Sequence, residues 1–235
     1  MIRTTANNFI NLPLKTISAS AASIIALAAS ESASSQLPPG SAASVVLGYA
    51  TQRAKLLAQY AGLNSPVGTI SWNTGPETTM YMVKPLSRGN VNIATTNVLD
   101  SPLIDYRALS DPVDLEVLLE LYKKNKAIMA TPYMQVLGPT EVSPVGAGPA
   151  TDAQIKAALL GNVVPTNAHM CCTVAMMRRV QGGVVDSDLK VYGVRGLRVI
   201  DASTFPIIPA TGPSASVYMI GEKAAAAIKV EYGIA

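Results

Sequence analysis

The feature that most restricts this chain is a change of hydrophobic period near Val67. Before it, apolar residues recur at helical spacing. After it, Val67 to Trp72, Thr78 to Lys84 and Asn90 to Ala94 are short runs rich in Val, Ile, Thr and Tyr, the composition and period of strands. Gly75-Pro76 and Ser87-Arg88-Gly89 separate them. Turns that short cannot make the crossover a parallel pair requires, so the three runs are expected to form an antiparallel meander. With helices on either side, the expected fold class is α+β, an antiparallel sheet backed by helices.

The helices have readable ends. Ala, Ser, Ile and Leu at helical spacing run from Pro13 to about Ser35, and Pro38-Pro39-Gly40 ends that stretch. A second helix is expected from about Ala42 to Ala61, with Val45, Val46, Tyr49, Ala50, Arg53, Leu56, Leu57 and Tyr60 near one face and Gly62 as its C-cap. Asp111 suits an N-cap and Pro112 the first helical position of a third. Leu115, Leu118, Leu119, Tyr122 and Met129 line one face of it, and Thr131-Pro132 stops it. Thr140 to Pro149 reads as loop, and Thr151-Asp152 opens a helix to about Leu160. Leu189 to Tyr192 and Leu197 to Ile200 are expected as short strands, and Ser214 to about Val230 as the closing helix.

Composition removes several functions. With 49% hydrophobic and 14% charged residues, the 235-residue chain can bury a substantial core and is not a disordered segment. A net charge of +3, with Lys123-Lys124 and Arg178-Arg179 as the basic doublets, gives no phosphate track, and sparse aromatics give no stacking platform; no nucleic-acid partner is expected. The apolar run Ile17 to Ala29 is serine-interrupted, lies behind the polar residues Thr4, Thr5, Asn7, Asn8 and Asn11, and is too short to span a bilayer. No membrane partner is expected, and a cytoplasmic location is favoured over a secreted one. The chain contains no N-glycosylation sequon.

From Asn162 to Gly183 little periodicity is visible, as suits a site loop. This stretch holds the one histidine, His169, and both cysteines, Cys171 and Cys172. Imidazole is the side chain suited to take an alcohol proton near neutral pH, although a lone histidine is more often structural. Adjacent cysteines are not a disulfide framework, lack Cys-x-x-Cys spacing, and bring too few donors for a metal site. Ser203 and Ser214 have no nucleophile-elbow context. A Gly-x-Gly-x-x-Gly or Walker-type phosphate loop is absent from the sequence.

Several runs together carry a family likeness. His169-Met170-Cys171-Cys172-Thr173, Gly182-Gly183-Val184-Val185-Asp186, Val191-Tyr192-Gly193-Val194, Asp201-Ala202-Ser203 and the helix from Ser214 resemble, in order and spacing, the C-terminal signature of the glucose-methanol-choline (GMC) oxidoreductases. Lys84-Pro85-Leu86-Ser87-Arg88-Gly89 and Asp105-Tyr106-Arg107 resemble the family's P-x-S-R-G and following I-D segments. Asn11 to Tyr60 resembles the substrate-domain helices of fungal members.

The resemblance implies an FAD-dependent oxidoreductase acting on the CH–OH group of a small-molecule alcohol, with His169 as the base while hydride leaves for the flavin. It implies secondary-metabolite biosynthesis as a setting. It also implies cofactor contacts from Asp201 and Ala202 and from Gly212, Pro213, Ser214 and Ala215 at the start of the last helix. The family's His-x-x-Gly-Thr has glycine where this chain has Cys172, and the family's usual second histidine or asparagine falls on Gly212. Trp72 and Met80-Tyr81-Met82 read as core or sheet surface, although in the family the meander's face closes over the substrate. By the resemblance, residues 1–165 are a partial substrate-binding domain. Residues 166–235 carry the histidine, with C-terminal strands and a helix that complete an FAD-binding domain, and the N-terminal dinucleotide-binding half is missing. No metal is expected. The alternative is a truncated, non-catalytic relative that binds a partner half.

Overall fold

A computed structural model describes residues 8–72 and 78–234. Its strands are β1 (Asn8–Leu12), β2 (Gly68–Trp72), β3 (Thr78–Met82), β4 (Asn90–Asn92) and β5 (Leu103–Asp105). Its helices are α1 (Leu14–Ile17), α2 (Ala21–Ser30), α3 (Ala43–Ala61), α4 (Pro112–Met129), α5 (Pro132–Gln135), α6 (Asp152–Asn162) and α7 (Ser214–Tyr232). The fold is α+β with antiparallel sheets, as the change of period predicts. The Gly75-Pro76 turn lies outside the described residues.

By packing, the chain sorts into two compact units that cut across the 1–165 and 166–235 division. One comprises residues up to Glu31, Leu56–Leu86 and Leu109–Val164; the other comprises Ser32–Lys55, Ser87–Ala108 and the chain from Pro165 onward.

In the first unit the sheet order is β1-β2-β3, antiparallel throughout. The expected meander needs correction at both ends. β1 is a strand that its Asn-rich sequence concealed; Asn11 earns its place because its side-chain carbonyl accepts from Thr69 Oγ1 at 2.7 Å. Asn90–Asn92 does not pair with β3. Beyond β3 the chain is buried at Leu86, whose N–H is taken by the Asp114 carboxylate at 2.8 Å, so the ladder stops there.

β2 is central and buried on both faces from Gly68 to Ser71. α4 lies against it, and the approach is close: a Cβ on Gly68 would sit 2.9 Å from Leu121 Cδ2 and 3.2 Å from Ile17 Cδ1. Leu14, Tyr60, Val67, Ile70, Val113, Val117 and Leu121 form the interior. Asp111 caps α4 by accepting from the Val113 amide at 3.0 Å, and Pro112 follows at the first turn. The face of α4 predicted from sequence is rotated slightly: Val113, Val117 and Leu121 are buried as well as Leu119 and Tyr122. α6 opens with a reciprocal Thr151–Gln154 capping box and buries Ile155 and Leu159 against Leu119, Tyr122 and Met80. Met80 is therefore core, and Trp72 sits half-buried at the end of β2. The helix expected from Pro13 to Ser35 is broken at Ser18, whose hydroxyl donates to Glu120 while accepting from the Ser20 amide.

The second unit is less regular. β4 and β5 form a hairpin, with Val91 opposite Ile104. Its strands expected at 189–192 and 197–200 are reduced to single bridges, Val185 with Val191 and Lys190 with Arg198. Positive φ at Leu189 (62°), Gly193 (79°) and Gly196 (73°) turns the backbone before a ladder can extend. α7 packs Ile220 and Ala224 on Val185, Leu189 and Phe205, and it ends in a left-handed Gly233 with Ile234 N–H bonded to Lys229 O at 2.9 Å. Near that end Glu231 is paired with Lys190 and Arg198, and the Lys190 hydrogen bond, followed by that of Arg198, holds its carboxyl below the usual range. No described helix is long and apolar enough to cross a membrane.

Candidate active site

The histidine segment is held by its backbone. Cys172 N–H donates to Ala202 O at 3.2 Å, Val174 N–H to Ser203 O at 2.8 Å and Met176 N–H to Thr204 O at 2.8 Å. Every second amide of 172–176 meets successive carbonyls of the 3-10 turn Ala202–Thr204. Two motif segments thirty residues apart in sequence thus become neighbours. Beyond Met176 the chain reverses through a short 3-10 turn, Arg179–Gln181. Gly182 ends it at φ +71°, a conformation that favours glycine. At Gly183 a Cβ would lie 1.9 Å from Met177 O, so the second glycine of this pair is required by close approach.

The segment enters and leaves its tip through strained residues. Ala168 has φ +56° and Cys172 φ +74°, and non-glycine residues pay about 1–2 kcal/mol for that region. Cys172 occupies the position where the resembling motif has glycine, and the backbone there is the one glycine prefers.

His169 is exposed. Across from it lies Gly212: a Cβ built on Gly212 would be 4.0 Å from His169 Cε1. The residue at the start of the last helix and the histidine are therefore brought together, and glycine leaves the space between them open. Pro213 is buried and has helical torsions (φ −72°, ψ −10°), while Ser214 and Ala215 are exposed. No side chain caps the start of α7. Its first amides therefore carry their partial positive charge unneutralised by any cap.

Asp201 stands apart from this cluster in its bonding. Its carboxylate caps the 3-10 turn Ala202–Thr204, accepting from the Ser203 amide at 2.7 Å and from the Ser203 hydroxyl. It fixes the turn whose carbonyls accept from the histidine segment, and Ala202 supplies the carbonyl that takes the Cys172 amide. Among the described residues no group of three or more His, Cys, Asp or Glu could hold a metal ion.

The sequence concealed one support. In α3, Gly48, Thr51 and Gln52 share a face that looks polar and solvent-directed. Gln52 Nε2 donates to Pro206 O at 2.6 Å and approaches Met177 Sδ at 3.2 Å, and Gln181 Nε2 donates to Thr51 Oγ1 at 3.0 Å. A Cβ on Gly48 would sit 2.0 Å from Gln181 O. The i, i+3, i+4 recurrence of a glycine and two polar residues, Thr51 and Gln52, was the available signal. Tyr192 adds a hydroxyl bond to Met177 O at 3.1 Å.

The chain is similar to known proteins over most of its length. The family profile described as GMC oxidoreductase matches residues 85–221. The dehydrogenase xptC of Emericella nidulans is 41% identical over 214 residues, which is 90% of this chain and 34% of that protein. A solved FAD-dependent oxidoreductase from Chaetomium thermophilum superposes with a TM-score of 0.93 at 46% identity, over 97% of this chain and 39% of that one. A fungal aryl-alcohol oxidase gives 0.82 at 32% identity, over 96% of this chain and 38% of its own. The chain thus spans between a third and two fifths of the length of these relatives. On the matched residues and the fold they adopt, the chain belongs to the GMC oxidoreductase family.

Proposed function

We propose that this chain is the base-bearing portion of an FAD-dependent oxidoreductase that oxidises the CH–OH group of a small-molecule alcohol, with His169 as the base. The observation that carries the proposal is the meeting of His169 with Gly212 in front of the uncapped start of α7. The residues fit a flavin ring: Gly212 adds no side chain there, and the amides of Ser214 and Ala215 begin a helix with no acidic residue in its first turn, which suits a ring that gains negative charge.

When bound, FAD supplies the two-electron hydride acceptor. His169 takes the hydroxyl proton, and its exposure leaves the ring accessible to substrate. Gly212 offers no second acceptor, so a single imidazole carries the proton transfer, and the open space opposite it is left to the substrate. Pro213 sets the direction of α7 from a buried position. Asp201 and Ala202 serve the cofactor side by fixing the backbone that holds Cys172 and, three residues earlier, His169. Secondary-metabolite biosynthesis is the setting that the family resemblance implies.

The relatives' extra length supports a dinucleotide-binding portion acting with this chain. In the second unit the hairpin side chains Ile93, Val98, Leu99 and Leu103 and the α7 residue Tyr218 are each 60% or more exposed, and they form apolar surface that such a portion would cover.

The test places this chain in the Chaetomium thermophilum oxidoreductase in exchange for its matching segment, and mixes the product with aromatic and aliphatic alcohols without oxygen. Bleaching of the visible flavin band by at least one alcohol is expected. A chimera that retains flavin and is bleached by no alcohol, although the parent enzyme is, would overturn the proposal.

A further inference from the structure

The thiols of Cys171 and Cys172 lie 3.0 Å apart and touch through a sulfur–sulfur hydrogen bond. Adjacent side chains on an extended strand point to opposite faces, so adjacency alone does not bring sulfurs together. Here the left-handed turn at Cys172 (φ +74°) swings both to one side. Both residues are half-buried, and both pack on the Val185, Leu189 and Phe205 cluster. They are accessible to a small oxidant and poorly placed to reach a cysteine of another molecule.

We propose that Cys171 and Cys172 form a vicinal dithiol that a hydroperoxide oxidises reversibly to a disulfide within the histidine segment. One sulfur attacks the peroxide O–O bond, forming a sulfenic acid and releasing water from hydrogen peroxide, or an alcohol from an organic hydroperoxide. The neighbouring sulfur then attacks it; the S–S bond forms, the S–O bond breaks, and the hydroxide leaves with the thiol's proton as water. Two electrons pass from the two sulfurs to the peroxide oxygens. Closing the bridge requires the sulfurs to approach by about 1 Å, to the usual S–S length near 2 Å. The ring so formed is strained, which makes the bond readily reducible and suits a reversible modification. The second sulfur stands beside the first, so the sulfenic acid is resolved before a second oxidation can trap it as sulfinic acid.

The 235-residue chain contains no other cysteine, so intact mass reads the outcome directly. Brief treatment with hydrogen peroxide is expected to lower the mass by about 2 Da, two hydrogens, with recovery on adding dithiothreitol. Phenylarsine oxide, which needs two neighbouring thiols, is expected to form one adduct per chain. Cys171→Ser and Cys172→Ser should each abolish both the loss and the adduct, with circular dichroism confirming that each variant folds. Gains of about 32 Da instead of the loss, a disulfide-linked dimer, or an arsenical adduct surviving in either single variant would overturn the proposal.

Discussion

The two units solve the problem of burial in opposite ways. The first is a sheet backed by helices, with Ile70, Val113, Val117 and Leu121 fully enclosed and helix starts capped by Asp111 and Thr151. The second is held by turns and by backbone bonds between segments such as 172–176 and 202–204, around the smaller cluster of Val185, Phe205 and Ile220. Four of the five described non-glycine residues with positive φ lie in the second unit: Arg107, Ala168, Cys172 and Leu189. Irregular backbone aims individual side chains where a helix or strand would not, at a cost in stability. The unit that carries His169 is the one that accepts that cost.

The contrast can be broken by substitution. The largest effect is expected at Leu121, whose Cδ atoms fill the gap over Gly68. Leu121→Ala should destabilise by about 2–5 kcal/mol in denaturant unfolding, with faster amide exchange in β2 and α4. A loss below about 1 kcal/mol would mean that the first unit is not the well-packed scaffold described here.

Next comes Gly183→Ala, which sets a methyl against Met177 O. A loss of about 3 kcal/mol is expected, since backbone cannot move aside as a side chain can. Hydrogen exchange should localise the loosening to residues 172–206 and leave β2 protected. Uniform loosening would contradict the division into units.

Cys172→Gly works in the other direction. Relief of the left-handed strain should stabilise the chain by about 1 kcal/mol, seen as a higher melting temperature. A lower one would show that packing of the Cys172 sulfur on the Val185 cluster outweighs the strain.

The smallest effect belongs to the first unit's surface. Burial alone would raise the Glu141 carboxyl, but the Tyr122 hydroxyl and the Lys126 ammonium at 2.9 Å outweigh it and hold it below its ordinary range. A carboxyl depressed on folding contributes stability above its unfolded value, about 4.3, and loses it as pH falls through the folded value. Glu141→Gln should therefore cost stability above about pH 4.3, where the pairing contributes in full, and flatten the acid limb below it, so that the difference from the parent vanishes as pH falls through the folded value. Parallel acid limbs would show that the pairing is without consequence.

How legible each unit was follows from the same contrast. The α3 and α4 boundaries and the Asp111-Pro112 start could be read because periodicity and capping are local. β1 could not, since its Asn-rich sequence becomes a strand only through pairing with β2. The hairpin of β4 with β5 was missed because its partner lies beyond a loop held by Thr95, Asn97 and Asp100. From Asn162 to Gly183 the lack of period and the one histidine suggested a site loop, and motif likeness supplied the roles. That likeness singled out His169 and Gly212, which no period could encode, and their approach emerges only from the fold. It did not anticipate Gln52 and Thr51, whose partners are backbone atoms and turn residues far along the chain.

The most direct test is His169→Gln in the chimera with the Chaetomium thermophilum oxidoreductase, with flavin content and the rate of anaerobic flavin reduction by alcohol measured on the same sample. Glutamine keeps a hydrogen-bonding group of similar reach and cannot serve as a base. Full flavin content with reduction slowed about 10²- to 10⁴-fold is the predicted result. Full flavin content with an unchanged reduction rate would remove His169 from the chemistry and contradict the account.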